Sequence, residues 1–115
     1  YRVIDAHDYY GFGSADDWHA SVLRGEFMDH LSAAKNRWGA KGWDVAPECG
    51  EVGEGRLLLR RSRSNPAAFE VRFVMQKELG PASAEGAQDL INQLVLDGWS
   101  LKRGDALALE FHRTR

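Results

Sequence analysis

A single cysteine, Cys49, leaves this chain no internal disulfide and no zinc site of the multi-cysteine kind, and it suits a reducing compartment. No apolar run approaches the ~18 residues that a membrane span needs, and no signal-peptide pattern opens the sequence, so the expected location is cytoplasmic, with no membrane partner. Tyr1 stands first rather than methionine, so the numbering follows processing or covers part of a longer protein, and a removed targeting segment stays compatible with it. Neither charge dominates. Lys and Arg number 15 against 17 Asp and Glu, and a net −2 gives the whole chain no pull on nucleic acid or anionic lipid.

The motifs of known chemistries are also missing. There is no Gly-x-Ser-x-Gly elbow and no His-Glu-x-x-His. The glycines of residues 47–55 lack a Gly-Lys-Ser/Thr ending and a following helix, and Glu48, Glu51 and Glu54 among them would repel a phosphate. Cys49 has no assignable base beside it and reads as an ordinary thiol. His7, His19, His30 and His112 are the histidines, and no two share one element at ligand spacing. The sequence therefore calls for no cofactor, and it reads as a non-enzyme.

What is present is a clear pattern at residues 89–113. Leu90, Ile91, Leu94 and Val95 make one helical stripe, which Ser83 and Glu85 are placed to open. Asp97-Gly98 supplies a left-handed residue to close the helix, and Trp99 re-enters the core. Arg103-Gly104-Asp105 is turn chemistry, after which Leu107, Leu109 and Phe111 alternate with Ala108, Glu110 and His112. A weaker copy lies 56 residues upstream: Asn92 falls on Asn36, Leu94 on Trp38, Gly98 on Gly42, Trp99 on Trp43 and Leu101 on Val45. Phe27, Leu31, Ala34 and Trp38 are the stripe of that earlier helix, and Leu57 and Leu59 alternate as Leu107 and Leu109 do.

The run Asn36-Arg37-Trp38-Gly39-Ala40-Lys41-Gly42-Trp43-Asp44-Val45 resembles the signature of a family of small, mostly bacterial domains of unknown function. These run strand, helix, Asn-x-x-Gly-x-x-Gly-Trp-Glu-Leu or Val, then a hairpin ending in a basic residue. The second copy is similar through Asn92, Gly98, Trp99 and Leu101, with Val95 at the family's first glycine, while Asp44 and Ser100 replace its glutamate. The resemblance implies a fold and no activity.

The expected architecture is α+β: two tandem strand-helix-strand-strand repeats with pseudo-two-fold symmetry, antiparallel strands, and helices packed on one face. The repeats span residues 1–63 and 67–115 of one domain, since a unit of about 55 residues is marginal alone. One continuous sheet and two sheets both remain open. Gly42, Trp43, Gly98 and Trp99 are expected to be structural. Residues 1–7 read as the first strand, and 69–77 as the clearest strand, with Phe69, Val71, Phe73 and Met75 facing a core opposite Glu70, Arg72 and Gln76. Pro66 closes a polar linker and Pro81 stops the strand region.

Two features carry the functional reading. Residues 8–21 are an insertion holding Tyr9, Tyr10, Phe12 and Trp18, with Ser14 placed to cap a short helix and Gly25 between it and the next. Those rings either stack on a ligand or cover the core edge, and covering is the commoner use of aromatics. Arg56, Arg60, Arg61, Arg63 and Arg72 form the one basic concentration, either a phosphate-contacting sheet face or a charged edge that resists aggregation. The leading expectation is a non-enzymatic protein-binding or assembly module, as a homodimer, using the aromatic insertion or a sheet edge. The alternatives are single-stranded nucleic-acid binding through Arg60 and Arg72, and a small metal-dependent enzyme around His7 and His19.

Overall fold

The computed structural model describes residues 1–63, 67–80 and 83–115. The linker proline Pro66 and the stop at Pro81 fall outside the described residues. Within them the chain makes two compact units, Tyr1–Ala68 and Phe69–Arg115. The first runs β1 (Arg2–Asp5), α1 (Ala6–Tyr9), α2 (Ala15–Leu23), α3 (Phe27–Gly39), β2 (Asp44–Val45) and β3 (Arg56–Arg60). The second runs β4 (Phe69–Met75), α4 (Gln76–Leu79), α5 (Ala84–Leu96), β5 (Ser100–Gly104) and β6 (Ala108–Thr114). The class is α+β, with a separate three-stranded antiparallel sheet in each unit, ordered β1-β3-β2 and β4-β6-β5. In both, the last strand lies in the middle.

The strand registers show how closely the two units correspond. Val45 and Arg2 both pair with Leu59 in the first, as Leu101 and Arg72 pair with Phe111 in the second. Ile4 opposite Leu57 then matches Val74 opposite Leu109. Ile4, Val45, Leu57 and Leu59, with Trp38 and Trp43, line one core, and Val74, Leu109 and Phe111, with Leu94 and Trp99, line the other, while Arg2, Arg72 and Leu101 stay exposed. Alternation alone matches Leu57 and Leu59 with Leu107 and Leu109; the register corrects this to Leu109 and Phe111. The reason is the longer loop of the first hairpin, and Leu107 itself precedes β6 and is half exposed.

Two expected strands end early. β1 ends at Asp5 and β4 at Met75: the bonds from the Ala6 N–H to Gly55 O (2.9 Å) and from the Gln76 N–H to Leu107 O (2.9 Å) are the last rung of each ladder, after which the chain turns into a helix. A four-residue helix follows each, and its last residue, Tyr9 or Leu79, packs into the core. The insertion therefore begins after Tyr9 rather than at residue 8, since α1 has a counterpart in α4.

Each main helix ends in the same way. Gly42 (φ 80°) and Gly98 (φ 94°) take the left-handed conformation that side chains disfavour. The next N–H reaches back five residues, Trp43 to Trp38 O (3.1 Å) and Trp99 to Leu94 O (3.0 Å), while the glycines donate to Gly39 O and Val95 O. This paired arrangement satisfies carbonyls that a helix end leaves open, and it throws the indole back across the helix. At the start of α5, Ser83 Oγ accepts from the Gly86 N–H (3.1 Å), the expected cap.

The apolar row of β4 needs correction. Val74, not that row, joins Leu94, Trp99 and Phe111 in the core under α5. Phe69, Val71, Phe73 and Met75 lie on the opposite surface of the sheet, where Val71 is buried and the rest are half-buried. β4 thus buries residues on both faces. A period of two reports that a face is apolar, not which neighbour covers it. On α5, likewise, Ile91 and Leu94 face the core while Leu90 and Val95 stay exposed.

Trp99 is 8 % exposed and sits at the centre of the second unit's core. Trp99→Ala is expected to lower unfolding free energy by about 3–5 kcal/mol, read as a reduced urea midpoint. A midpoint unchanged from the parent would remove the indole from the core.

Candidate functional site

The aromatic insertion is spent mostly on itself. Ser14 Oγ accepts from the Asp17 N–H (3.2 Å) and starts α2, and Gly25 (φ 78°) turns the chain into α3. Trp18 stacks on Tyr10 at 3.8 Å between centroids and 7° between planes, and Phe27 of α3 tilts against both. Phe12 leans on Trp18 and meets His30 edge-on at 4.9 Å. Tyr9 is 2 % and Trp18 7 % exposed. Burial pushes the Tyr10 phenol up to about 12. The corner between α2 and α3 is tied by Glu26, whose carboxylate accepts from Arg24 Nε (2.9 Å), Ser21 Oγ (3.1 Å) and His30 Nε2 (3.2 Å).

Tyr9 also links the insertion to a second set of rings. Its carbonyl accepts from Trp38 Nε1 (3.0 Å) and Arg37 Nη2 (2.6 Å), and its ring stacks on Trp38 at 6.0 Å and 12°. The Arg2 guanidinium lies 5.1 Å and the Lys41 ammonium 5.6 Å from the Trp38 ring centroid. Arg61 lies 4.5 Å over Trp43 and donates to Lys41 O (3.5 Å). Such cation–indole contacts fix the side chain while leaving its charge at the surface. An open cavity of about 340 Å³ adjoins Trp43 and Arg61, and Arg63 is on its wall.

Eight of the first unit's cations fall into two groups. Arg24 pairs with Glu26, Lys35 with Asp44, Arg56 with Asp5 and Arg60 with Glu48. Arg2, Arg37, Lys41 and Arg61, by contrast, form no ion pair with a described residue, and they gather on Trp38, Trp43 and the end of α3. The second unit treats its own corner differently: Arg113 lies 4.5 Å over Trp99 and donates to Asp97 O (3.2 Å), but Glu70 holds its guanidinium at 2.5 Å.

Of the residues singled out in sequence, Arg60 is engaged by Glu48 (3.4 Å), and Arg72 is an exposed residue of the second unit. The alternation of β3 does place Leu57 and Leu59 inward and Arg60 outward. Arg2, Arg37, Lys41 and Arg61 were not grouped by sequence reasoning. Their only common signal is nearness to the Gly-Trp corner in the fold, although the resemblance does mark a basic residue at a hairpin end. His7 and His19 are not brought together among the described metal-ligand clusters: His7 stands with Asp5 and Asp8, while His19 is exposed on α2. Cys49 is exposed and bonds Glu51 O (3.1 Å). In the glycine-rich loop the Gly55 N–H turns to the Glu51 carboxylate (3.4 Å), so it is no open phosphate cradle.

Arg24 foremost, then His30 and Ser21, hold the Glu26 carboxyl at about 2, below its usual 4.5. A carboxyl with a lowered folded pKa stabilises the corner above the usual range, and that stabilisation is lost as pH falls from 4.5 towards 2. The Trp18 indole proton, followed by NMR, is therefore expected to shift over this window and to lose that transition in Glu26→Gln. An acid profile identical in both proteins would detach the corner from Glu26. Comparison with protein-family models, with curated proteins and with solved structures finds no match for this chain.

Proposed function

We propose that this chain is a binding module rather than a catalyst, and that its first unit holds single-stranded nucleic acid through Arg2, Arg37, Lys41 and Arg61. The observation that carries this reading is the gathering of charge: these cations lack carboxylate partners among the described residues and lie over Trp38, over Trp43 or, for Arg37, on the Tyr9 carbonyl that Trp38 also bonds, whereas Arg24, Lys35, Arg56 and Arg60 are paired. Phosphates supply the affinity for such a patch, and guanidinium planes add stacking surface for unpaired bases. With a chain charge of −2 the attraction is local, so it is steeply screened by salt. The interaction moves away from Tyr9, Tyr10, Phe12 and Trp18, whose rings are largely occupied by one another.

Titration of a fluorescent single-stranded oligonucleotide at several salt concentrations tests this. Four neutralised phosphates give a slope of log K against log salt near −0.7 per phosphate, about −3 in all. Arg37→Glu combined with Lys41→Glu is expected to flatten it by at least about 1.4 and weaken binding at low salt. Binding that ignores salt, or that survives the double substitution unchanged, would exclude the patch.

Self-association is the second reading, favoured by apolar side chains left open in the second unit: Val95 is 55 %, Leu96 80 % and Leu101 52 % exposed. Light scattering is expected to give a dimer mass stable to salt, reduced to a monomer by Leu96→Asp. A parent protein that is monomeric at high concentration contradicts it.

A further inference from the structure

We infer that Asp5, His7 and Asp8 form a binding site for one first-row divalent metal ion, on the junction between β1 and α1. This is independent of the nucleic-acid reading, and it replaces a pairing of His7 with His19. One nitrogen of the His7 imidazole and one oxygen from each carboxylate lie within 4.8 Å of one another. Three ligands ~2.2 Å from one ion stand about 3.1–3.8 Å apart; His7 Nε2 and Asp8 Oδ1 already do, at 3.4 Å, and a turn of the exposed Asp5 carboxylate by about 1 Å brings it into that range.

The backbone that carries them is held before any ion arrives. Asp5 leaves the strand at φ −63° and ψ 141°, which directs the chain into α1. The Ala6 N–H is bound by Gly55 O (2.9 Å), Ala6 O accepts from the Tyr10 N–H (3.0 Å), and His7 O accepts from the Phe12 N–H (2.7 Å). Tyr9, next along, is 2 % exposed and anchors the turn in the core. Three donors from four consecutive residues are thus fixed on a rigid support, which is what a preorganised site requires.

The donor set selects the ion class. A neutral imidazole with two carboxylates suits manganese, cobalt, nickel or zinc, whereas calcium and magnesium favour oxygen alone. Asp5 and Asp8 are exposed and His7 half-buried, so the remaining coordination positions face solvent and accept water or an external anion. The site also contains its own competitor. Arg56 Nε stands 3.6 Å from Asp5 Oδ1, in a pair whose partners are each more than half exposed. An exposed ion pair is weak enough for a divalent ion to displace.

Calorimetric titration of the untagged protein with zinc and with manganese tests the inference. One ion per chain is expected for at least one of them, with His7→Gln and Asp8→Asn each weakening it at least about tenfold, as loss of a metal-site partner does. Arg56→Gln is expected to tighten it several-fold, because Asp5 loses its competitor, while His19→Gln leaves it unchanged. Circular dichroism identical to the parent shows that each variant is folded. Absence of binding to both ions, or binding that persists in His7→Gln and is indifferent to Arg56→Gln, overturns the site.

Discussion

The left-handed glycine at the end of each main helix constrains the path of the chain beyond it. Gly42 and Gly98 turn the backbone so that the next residue's N–H returns to a carbonyl five residues back, and this places Trp43 and Trp99 against their own helices. A residue with a Cβ would strain that backbone, and at Gly98 it would also stand 3.3 Å from Arg113 Cδ. From the indole the chain enters the first strand of a hairpin. The hairpin returns an arginine, Arg61 or Arg113, to lie 4.5 Å over the same indole and bond the carbonyl two residues before it. Corner, hairpin register and cation lid are therefore one unit of construction used twice.

The two halves of the chain then differ in what surrounds that corner. In the second, Glu70 neutralises Arg113 and the indole is buried, so the corner is closed by charge as well as by packing. In the first, α2 is added between the short helix and the main one, and its Trp18, with Tyr10 and Phe12 before it, meets Phe27 and His30 of α3. The end of α3 is exposed at Arg37, Ala40 and Lys41. Arg37 and Lys41 lie at this end, where the helix dipole favours positive charge. The dipole and the ring faces thus hold these side chains while the charge remains outward.

Much of the local structure was legible. Ser14 and Ser83 as caps, Gly25 as a break, the stripe of α3 and the Gly-Trp corners all arise from interactions spanning only a few residues. Less legible were the short helices α1 and α4, because each is too short to show a period and is placed by Tyr9 or Leu79 packing into a core made of distant residues. The candidate site was least legible. The charge run at residues 56–72 attracted attention, yet Arg56 and Arg60 are paired to Asp5 and Glu48. Arg2, Arg37, Lys41 and Arg61, which gather near Trp38 and Trp43, are scattered through the sequence.

The amino-acid sequence by itself determined the α+β class and the turn at each corner, since periodicity, caps and glycine conformations are local properties of the chain. Only the tertiary structure decided that the sheets are two, that Val74 rather than the alternating row of β4 lies under α5, and which arginines a carboxylate engages. Those outcomes depend on strand register and on which side chains meet across long loops. A residue's type records its charge or its apolar surface, and the fold alone supplies the neighbour that covers or pairs it.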